Sequence, residues 1–225
     1  MKGTYQGTLK MIWLDTRASV FVMLGLLLGI YAVLAFITIY LGGQLSVTGL
    51  SPMHAYMFIL GFIGLKETSA YALGMSVRRT DYYLAVLSSA ALLSVAFGLL
   101  YSAGSLLEST LFERPGVVFR MFRMDGFDSL GFVAAWVSYA VFFLLVYVVG
   151  WNLALLHKRF GQFSLYALAA AFVLALYLIG RFSGWEPVFR FLAGIENGFE
   201  AAVWALIPLA ALAGTAYTLI RGIKG

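Results

Sequence analysis

The sequence predicts an all-α polytopic membrane protein: six transmembrane helices, an N-terminal interfacial helix and both termini in the cytoplasm. Three observations lead there. Of the 225 residues, 62% are hydrophobic and only 11% charged. A soluble domain carries about 25% charged residues, so this chain has too little polar surface to cover a water-facing globule. Six long apolar runs divide the chain, too continuous for barrel strands, which alternate over about 10 residues. Lysine and arginine are also shared unevenly between the loops that separate the runs.

Residues 3–17 come first. Tyr5, Leu9, Ile12 and Trp13 fall at i, i+4, i+7 and i+8, one face of a helix. This predicts a short helix in the inner interface with Trp13 at headgroup level. The spans follow at about 19–41, 52–65, 82–103, 130–151, 164–179 and 199–220, near the ~20 residues that cross a ~30 Å hydrocarbon core. The first starts late and lacks a small-residue cleavage site, so it reads as a span and not a signal peptide. Thr80 is the expected N-cap of the third span, and Asp81 suits its first turn. Gly25-x-x-x-Gly29 and Ala210-x-x-x-Gly214 are small-residue pairs that let helices approach, within the subunit or between subunits; packing within the subunit is the expected role. Pro208 predicts a kink in the sixth span. Glu196 and Glu200 suit that span's N-terminus electrostatically, with an exit gate as the second reading. Loops 105–128 and 180–198 carry aromatic and arginine side chains that read as interfacial anchors or amphipathic helices. No repeat, low-complexity tract or linker divides residues 1–225, which are expected to form one domain.

Orientation follows from charge. With the N-terminus inside, the inner loops hold Lys2, Lys10, Arg17, Lys66, Arg78, Arg79, Lys158, Arg159, Arg221 and Lys224; the outer loops hold Arg114, Arg120, Arg123, Arg181 and Arg190. That excess is the positive-inside pattern.

Several chemistries are excluded. There is no cysteine, hence no disulfide framework and no thiolate metal site. The two histidines, His54 and His157, fall on opposite sides by this topology. Neither H-E-x-x-H nor a Walker A motif occurs, so no zinc-protease helix and no P-loop are expected. No Asp, Glu, Lys or Arg falls in the middle of an expected span, which argues against a proton- or sodium-coupled carrier. No catalytic residue, metal site or nucleic-acid partner is expected.

The segment between the second and third spans carries the most information. It reads Lys66-Glu-Thr-Ser-Ala-Tyr-Ala-Leu-Gly-Met-Ser-Val-Arg-Arg-Thr-Asp-Tyr-Tyr-Leu84. Lys66 and Glu67 mark the exit from the inner leaflet. Tyr71, Leu73 and Met75 belong to a stretch too short to span, and Gly74 permits a bend. Arg78 and Arg79 sit where anionic headgroups or an acidic protein surface would be, though an ordinary positive-inside loop has the same pair.

Through Ala72-Leu-Gly-Met-Ser-Val-Arg-Arg-Thr-Asp-Tyr-Tyr83 the chain resembles a type 2 ABC transporter permease, the membrane subunit of bacterial ABC exporters. The organisation is similar over nearly the whole chain and the sequence over about a dozen residues. The resemblance implies that Lys66, Glu67, Tyr71, Leu73, Gly74, Met75, Arg78 and Arg79 belong to a coupling element, about 66–80, that docks on an ABC ATPase subunit. It implies a second permease subunit, homo- or heterodimeric, in the bacterial cytoplasmic membrane. ATP and Mg²⁺ would be on the partner ATPase and no cofactor on this chain, which is not itself an enzyme. It also implies a substrate path faced by the second and fifth spans. Those spans offer Tyr56, Phe58 and Phe62, and Tyr166, Phe172 and Tyr177, an aromatic, uncharged wall suited to a hydrophobic or amphipathic cargo such as a lipid, drug or peptide. For each aromatic, lipid contact or core packing is the plainer reading. A non-transport six-span protein (a scaffold, immunity or sensor component) is the alternative function.

Overall fold

The computed structural model describes residues 2–41, 44–46, 52–74, 77–111, 118–122, 127 and 130–222, with backbone alone for 2–4, 41, 44–46, 65–74, 111, 118–120, 182, 183, 188 and 192. The described residues form seven α-helices: α1 (Lys2–Leu41), α2 (Pro52–Gly74), α3 (Arg79–Leu111), α4 (Phe132–Phe160), α5 (Gln162–Leu178), α6 (Glu186–Ala193) and α7 (Gly198–Arg221). A π-helical turn, Ile179–Ser183, extends α5. Two three-residue strands, β1 (Gln44–Ser46) and β2 (Val118–Arg120), pair in parallel with Leu45 opposite Phe119.

Five helices among the described residues are long and apolar enough to cross a membrane: Tyr5–Tyr40, Arg79–Thr110, Phe132–Phe160, Gln162–Arg181 and Gly198–Arg221. The apolar stretch of α2, Pro52–Gly64, is shorter. The chain is therefore a helical, multi-pass membrane protein.

The helices do not end where the apolar runs end. In place of an interfacial helix over 3–17 and a span over 19–41, α1 is one helix of 40 residues. No Gly or Pro lies between Thr8 and Leu24, so nothing interrupts the i→i−4 ladder. At 1.5 Å per residue it is about 60 Å long. Likewise α2 runs unbroken for 23 residues, into positions assigned to the coupling element. Arg78, not Thr80, caps α3: its carbonyl accepts the first helical bond, from the Tyr82 N–H at 3.0 Å. Asp81 lies in the first turn as expected.

The centre of the bundle is α4, against which α2, α3 and α7 all pack. Gly98 of α3 abuts Trp136 and Ala140 at one end, and Tyr83 stacks on Trp151 at the other, so α3 and α4 are antiparallel. His54 against Phe143 and Gly61 against Tyr147 and Trp151 make α2 parallel to α4. The core between them holds Tyr101, Tyr139, Phe143 and Trp151, all nearly inaccessible. Helix α1 packs mainly on α3, while α5 packs on α4, joined to it by a turn at Gly161, whose φ of 77° favours glycine. No described residue of α5 is buried.

Glycine sets the closest approaches, at positions other than those the sequence suggested. An added Cβ at Gly61 would lie 2.2 Å from the Tyr147 carbonyl oxygen, and one at Gly150 would lie 2.3 Å from that of Phe58. At Gly25, Gly29 and Gly214 an added Cβ meets nothing within 4 Å. The packing expected of those small-residue pairs within the subunit is absent, because the faces bearing those glycines point away from the bundle.

Candidate functional site

Three polar assemblies stand out along the bundle. The first ties together the start of α3 and the ends of α4 and α7. The last carbonyls of any helix lack intrahelical donors, and here arginines approach them. Arg79 donates from Nη1 to the Arg221 carbonyl at 2.6 Å, and Arg159 Nη1 lies 3.5 Å from that of Thr218. Both cations sit at the negative end of the α7 dipole. The Arg221 guanidinium turns back over the Tyr217 ring, 4.4 Å from its centroid, and donates to that hydroxyl. Tyr83 donates to the Ala213 carbonyl at 3.1 Å. One turn further in, Asn152 of α4 donates to the carbonyls of Val148 at 2.9 Å and Leu212 at 3.0 Å. Its Oδ1 accepts from Thr215 at 2.8 Å. A buried amide satisfied across two helices is costly to separate in a low-dielectric interior.

Of the residues assigned to coupling, Arg79 is part of this clamp and Arg78, beside it, is exposed. Lys66, Glu67, Tyr71, Leu73 and Gly74 occupy the last turns of α2, with side chains outside the described residues; Met75 lies outside them altogether.

The second assembly is a cleft of about 240 Å³ where α1 to α4 meet. Asp15, Thr16 and Ser19 line it from α1, Tyr56 from α2, Ser89 from α3 and Tyr147 from α4. Ser19 and Tyr56 share a hydrogen bond of 3.0 Å, and Tyr5 and Ser88 share one of 2.8 Å. Beside the cleft, a trough of about 670 Å³ runs between α1 and α3.

These contacts place the charged part of α1 alongside the bundle. Ser88 lies nine residues into α3 from Arg79, about 14 Å at 1.5 Å per residue. Asp15 and Lys10 therefore lie alongside the bundle and not on a separate helix. Helix α1 continues straight where a turn into the interface was expected.

The aromatics assigned to a path are not gathered in one place. Tyr56 lines the cleft. Phe58 and Phe62 lie on the α2–α4 seam opposite Gly150. Tyr166, Phe172 and Tyr177 are 62–69% exposed on α5, away from the cleft.

The third assembly was not foreseen. Glu108, assigned by sequence to an outer loop, is inside α3 and 1% exposed. Its carboxylate accepts the main-chain N–H groups of Met121 (2.9 Å) and Phe122 (3.0 and 3.1 Å). Tyr139 donates to the Phe122 carbonyl at 3.1 Å, and the Phe122 ring packs on Tyr31 and Tyr101 at 5.1 and 5.0 Å. The only sequence signal was periodicity: Glu108 follows Tyr101 by seven residues and shares its helix face. Glu200 takes part in the cap of α7. Asn197 accepts from the Glu200 N–H at 3.0 Å, and Glu200 accepts from the Glu196 N–H at 3.1 Å, close to a capping box.

No family model matches the chain, and neither a curated protein nor a solved structure matches it.

Proposed function

We propose that the chain is the permease subunit of an ATP-driven exporter, paired with a second permease subunit in the bacterial cytoplasmic membrane and powered by a separate ATPase. The observation that carries this reading is the Arg79 clamp. An ATPase that docks on the segment between α2 and α3 needs a rigid connection to the spans. Arg79 is the first residue of α3 and holds the C-terminal carbonyl of α7, while Tyr83 holds that of Ala213. A push on that segment would move α3, α4 and α7 as one body. The Ala72–Tyr83 pattern supports the same assignment, with Lys66, Glu67 and Arg78 as the ATPase-facing groups. The chain performs no covalent chemistry in this reading; ATP and Mg²⁺ are bound by the partner. The polar cleft beside an apolar trough suits an amphipathic cargo.

The test is a pull-down of the full chain from its native membrane in mild detergent, scored for a bound ATPase, with Glu67→Ala and Arg78→Ala alongside. The expected result is an ATPase that copurifies with wild type and is lost from at least one variant of unchanged helicity. Intact protein with no ATPase in any sample overturns the reading.

A further inference from the structure

We propose that the trough between α1 and α3 binds an anionic phospholipid, with one acyl chain along the groove and the headgroup phosphate at Lys10. The inference goes beyond the exporter reading and needs no ATPase.

The trough has the polarity of such a ligand. Gln6, Lys10 and Ser89 lie at one end; Phe21, Leu24 and Leu100 lie at the other. The order follows from contacts on either side of the trough: Tyr5 bonds Ser88, while Tyr31 and Tyr101 both pack on Phe122, so the two helices run in the same direction. Lys10 to Leu24 is 14 residues, about 21 Å of helix. That exceeds the ~15 Å of one leaflet's hydrocarbon, half the ~30 Å core, so an extended chain fits along it. Its volume of about 670 Å³ is within the ~300–1,000 Å³ of ligand sites. The groove is open along one side, as lateral entry from a bilayer requires. Burial of the acyl chain is equally favourable for any lipid tail and selects nothing.

Selection comes from charge. Among the described residues, Lys10 is the single charged side chain lining the trough; Asp15, the nearest acid in sequence, lines the neighbouring cleft instead. An ammonium without a facing carboxylate, at the polar end of an apolar trough, fits a phosphate and repels a cationic amphiphile. A zwitterionic headgroup places a second cation near Lys10 and gains less.

Trp13, one of five tryptophans in the chain, lines the trough and is 49% exposed. It reports occupancy. The full chain is reconstituted in phosphatidylcholine vesicles containing a fixed fraction of either phosphatidylglycerol or phosphatidylcholine with brominated tails. Quenching at Trp13 is read as wild type minus Trp13→Phe. A favourable lysine–lipid contact of ~1 kcal/mol corresponds to about a fivefold preference, so phosphatidylglycerol should quench Trp13 about fivefold more effectively. In Lys10→Gln, checked for helicity by circular dichroism, the ratio should fall to about one while quenching by brominated phosphatidylcholine persists. Ala96→Phe, which fills the trough, should reduce quenching by both lipids. A wild-type ratio near one overturns the proposal. So does a Lys10→Gln ratio equal to wild type, or quenching unaffected by Ala96→Phe.

Discussion

Glu108 holds Phe122 by the main chain: both carboxylate oxygens accept the Phe122 N–H, at 3.0 and 3.1 Å, and one also accepts that of Met121. The segment after β2 is thereby drawn onto α1, α3 and α4, with the Phe122 ring filling the space that Gly104 leaves open. Glu108→Ala strands two buried donors, each worth about 1–3 kcal/mol, and is expected to destabilise the fold by about 3 kcal/mol. Glu108→Gln keeps one acceptor oxygen and should cost about 1 kcal/mol. Amide exchange at Met121 and Phe122 checks this. Exchange should be fastest in the alanine variant and intermediate in the glutamine variant; equal rates in all three proteins would rule the latch out.

The Arg79 clamp predicts an asymmetry between two arginines. Arg79 contributes a side chain, whereas Arg221 contributes only its carbonyl. Arg79→Ala should therefore loosen the last turn of α7 by about 1 kcal/mol, the scale of a cation at a partly exposed helix C-terminus. Arg79→Lys should fall between, since an ammonium keeps the charge but loses the guanidinium geometry. Arg221→Ala should leave that turn's clamp in place and remove the Tyr217 contact alone, about 0.5–1 kcal/mol. Exchange at Leu219 and Ile220 separates the variants: a larger effect from Arg221→Ala than from Arg79→Ala would contradict the geometry.

Asn152 and Thr215 supply a pairwise test of the α4–α7 seam. Their hydrogen bond is 2.8 Å, between helices that a bilayer does not force together by the hydrophobic effect. A double-mutant cycle with Asn152→Ala and Thr215→Val is expected to give a coupling of about 0.6 kcal/mol, with ~1.7 kcal/mol as the upper end for such bonds. Strict additivity in unfolding free energy would mean that the two side chains do not act together.

The helical membrane class was legible because apolar run length and charge scarcity are properties of the sequence alone. Helix ends were less so. Apolarity stops at the edge of a bilayer, but a helix stops at a breaker, and α1 meets none between Thr8 and Leu24. The partners of Arg79 and Glu108 were illegible for a different reason. Each binds main-chain atoms, Arg79 across 142 positions and Glu108 across 13 or 14, and a backbone amide has no residue identity to read. Asn197 and Glu200 carry a local capping signature, and there the sequence assigned the helix N-terminus correctly while missing Asn197 as the cap.

The described glycines of α1, α2 and α4 fall into two groups, those where two helices nearly touch and those that face open space. Gly61 and Gly150 sit where α2 and α4 nearly touch: a methyl at either would lie 2.2 or 2.3 Å from a backbone oxygen of the facing helix, far inside contact distance. Backbone cannot swing aside as a long side chain can, so the helices must separate. Gly61→Ala and Gly150→Ala are each expected to destabilise the fold by about 2–3 kcal/mol, the range for overpacking a tight seam. Gly25→Ala and Gly29→Ala meet open space, and alanine favours a helix over glycine by about 1 kcal/mol. These should be neutral or slightly stabilising to the single chain. The decisive readout combines thermal unfolding with cross-linking yield in membranes. Loss of dimer without loss of fold in Gly25→Ala/Gly29→Ala would assign the outward face of α1 to the subunit interface. An unchanged dimer would leave that face to lipid and place the contact between subunits elsewhere; α5, with no described residue buried, and the 203–207 stretch of α7 are other exposed apolar surfaces.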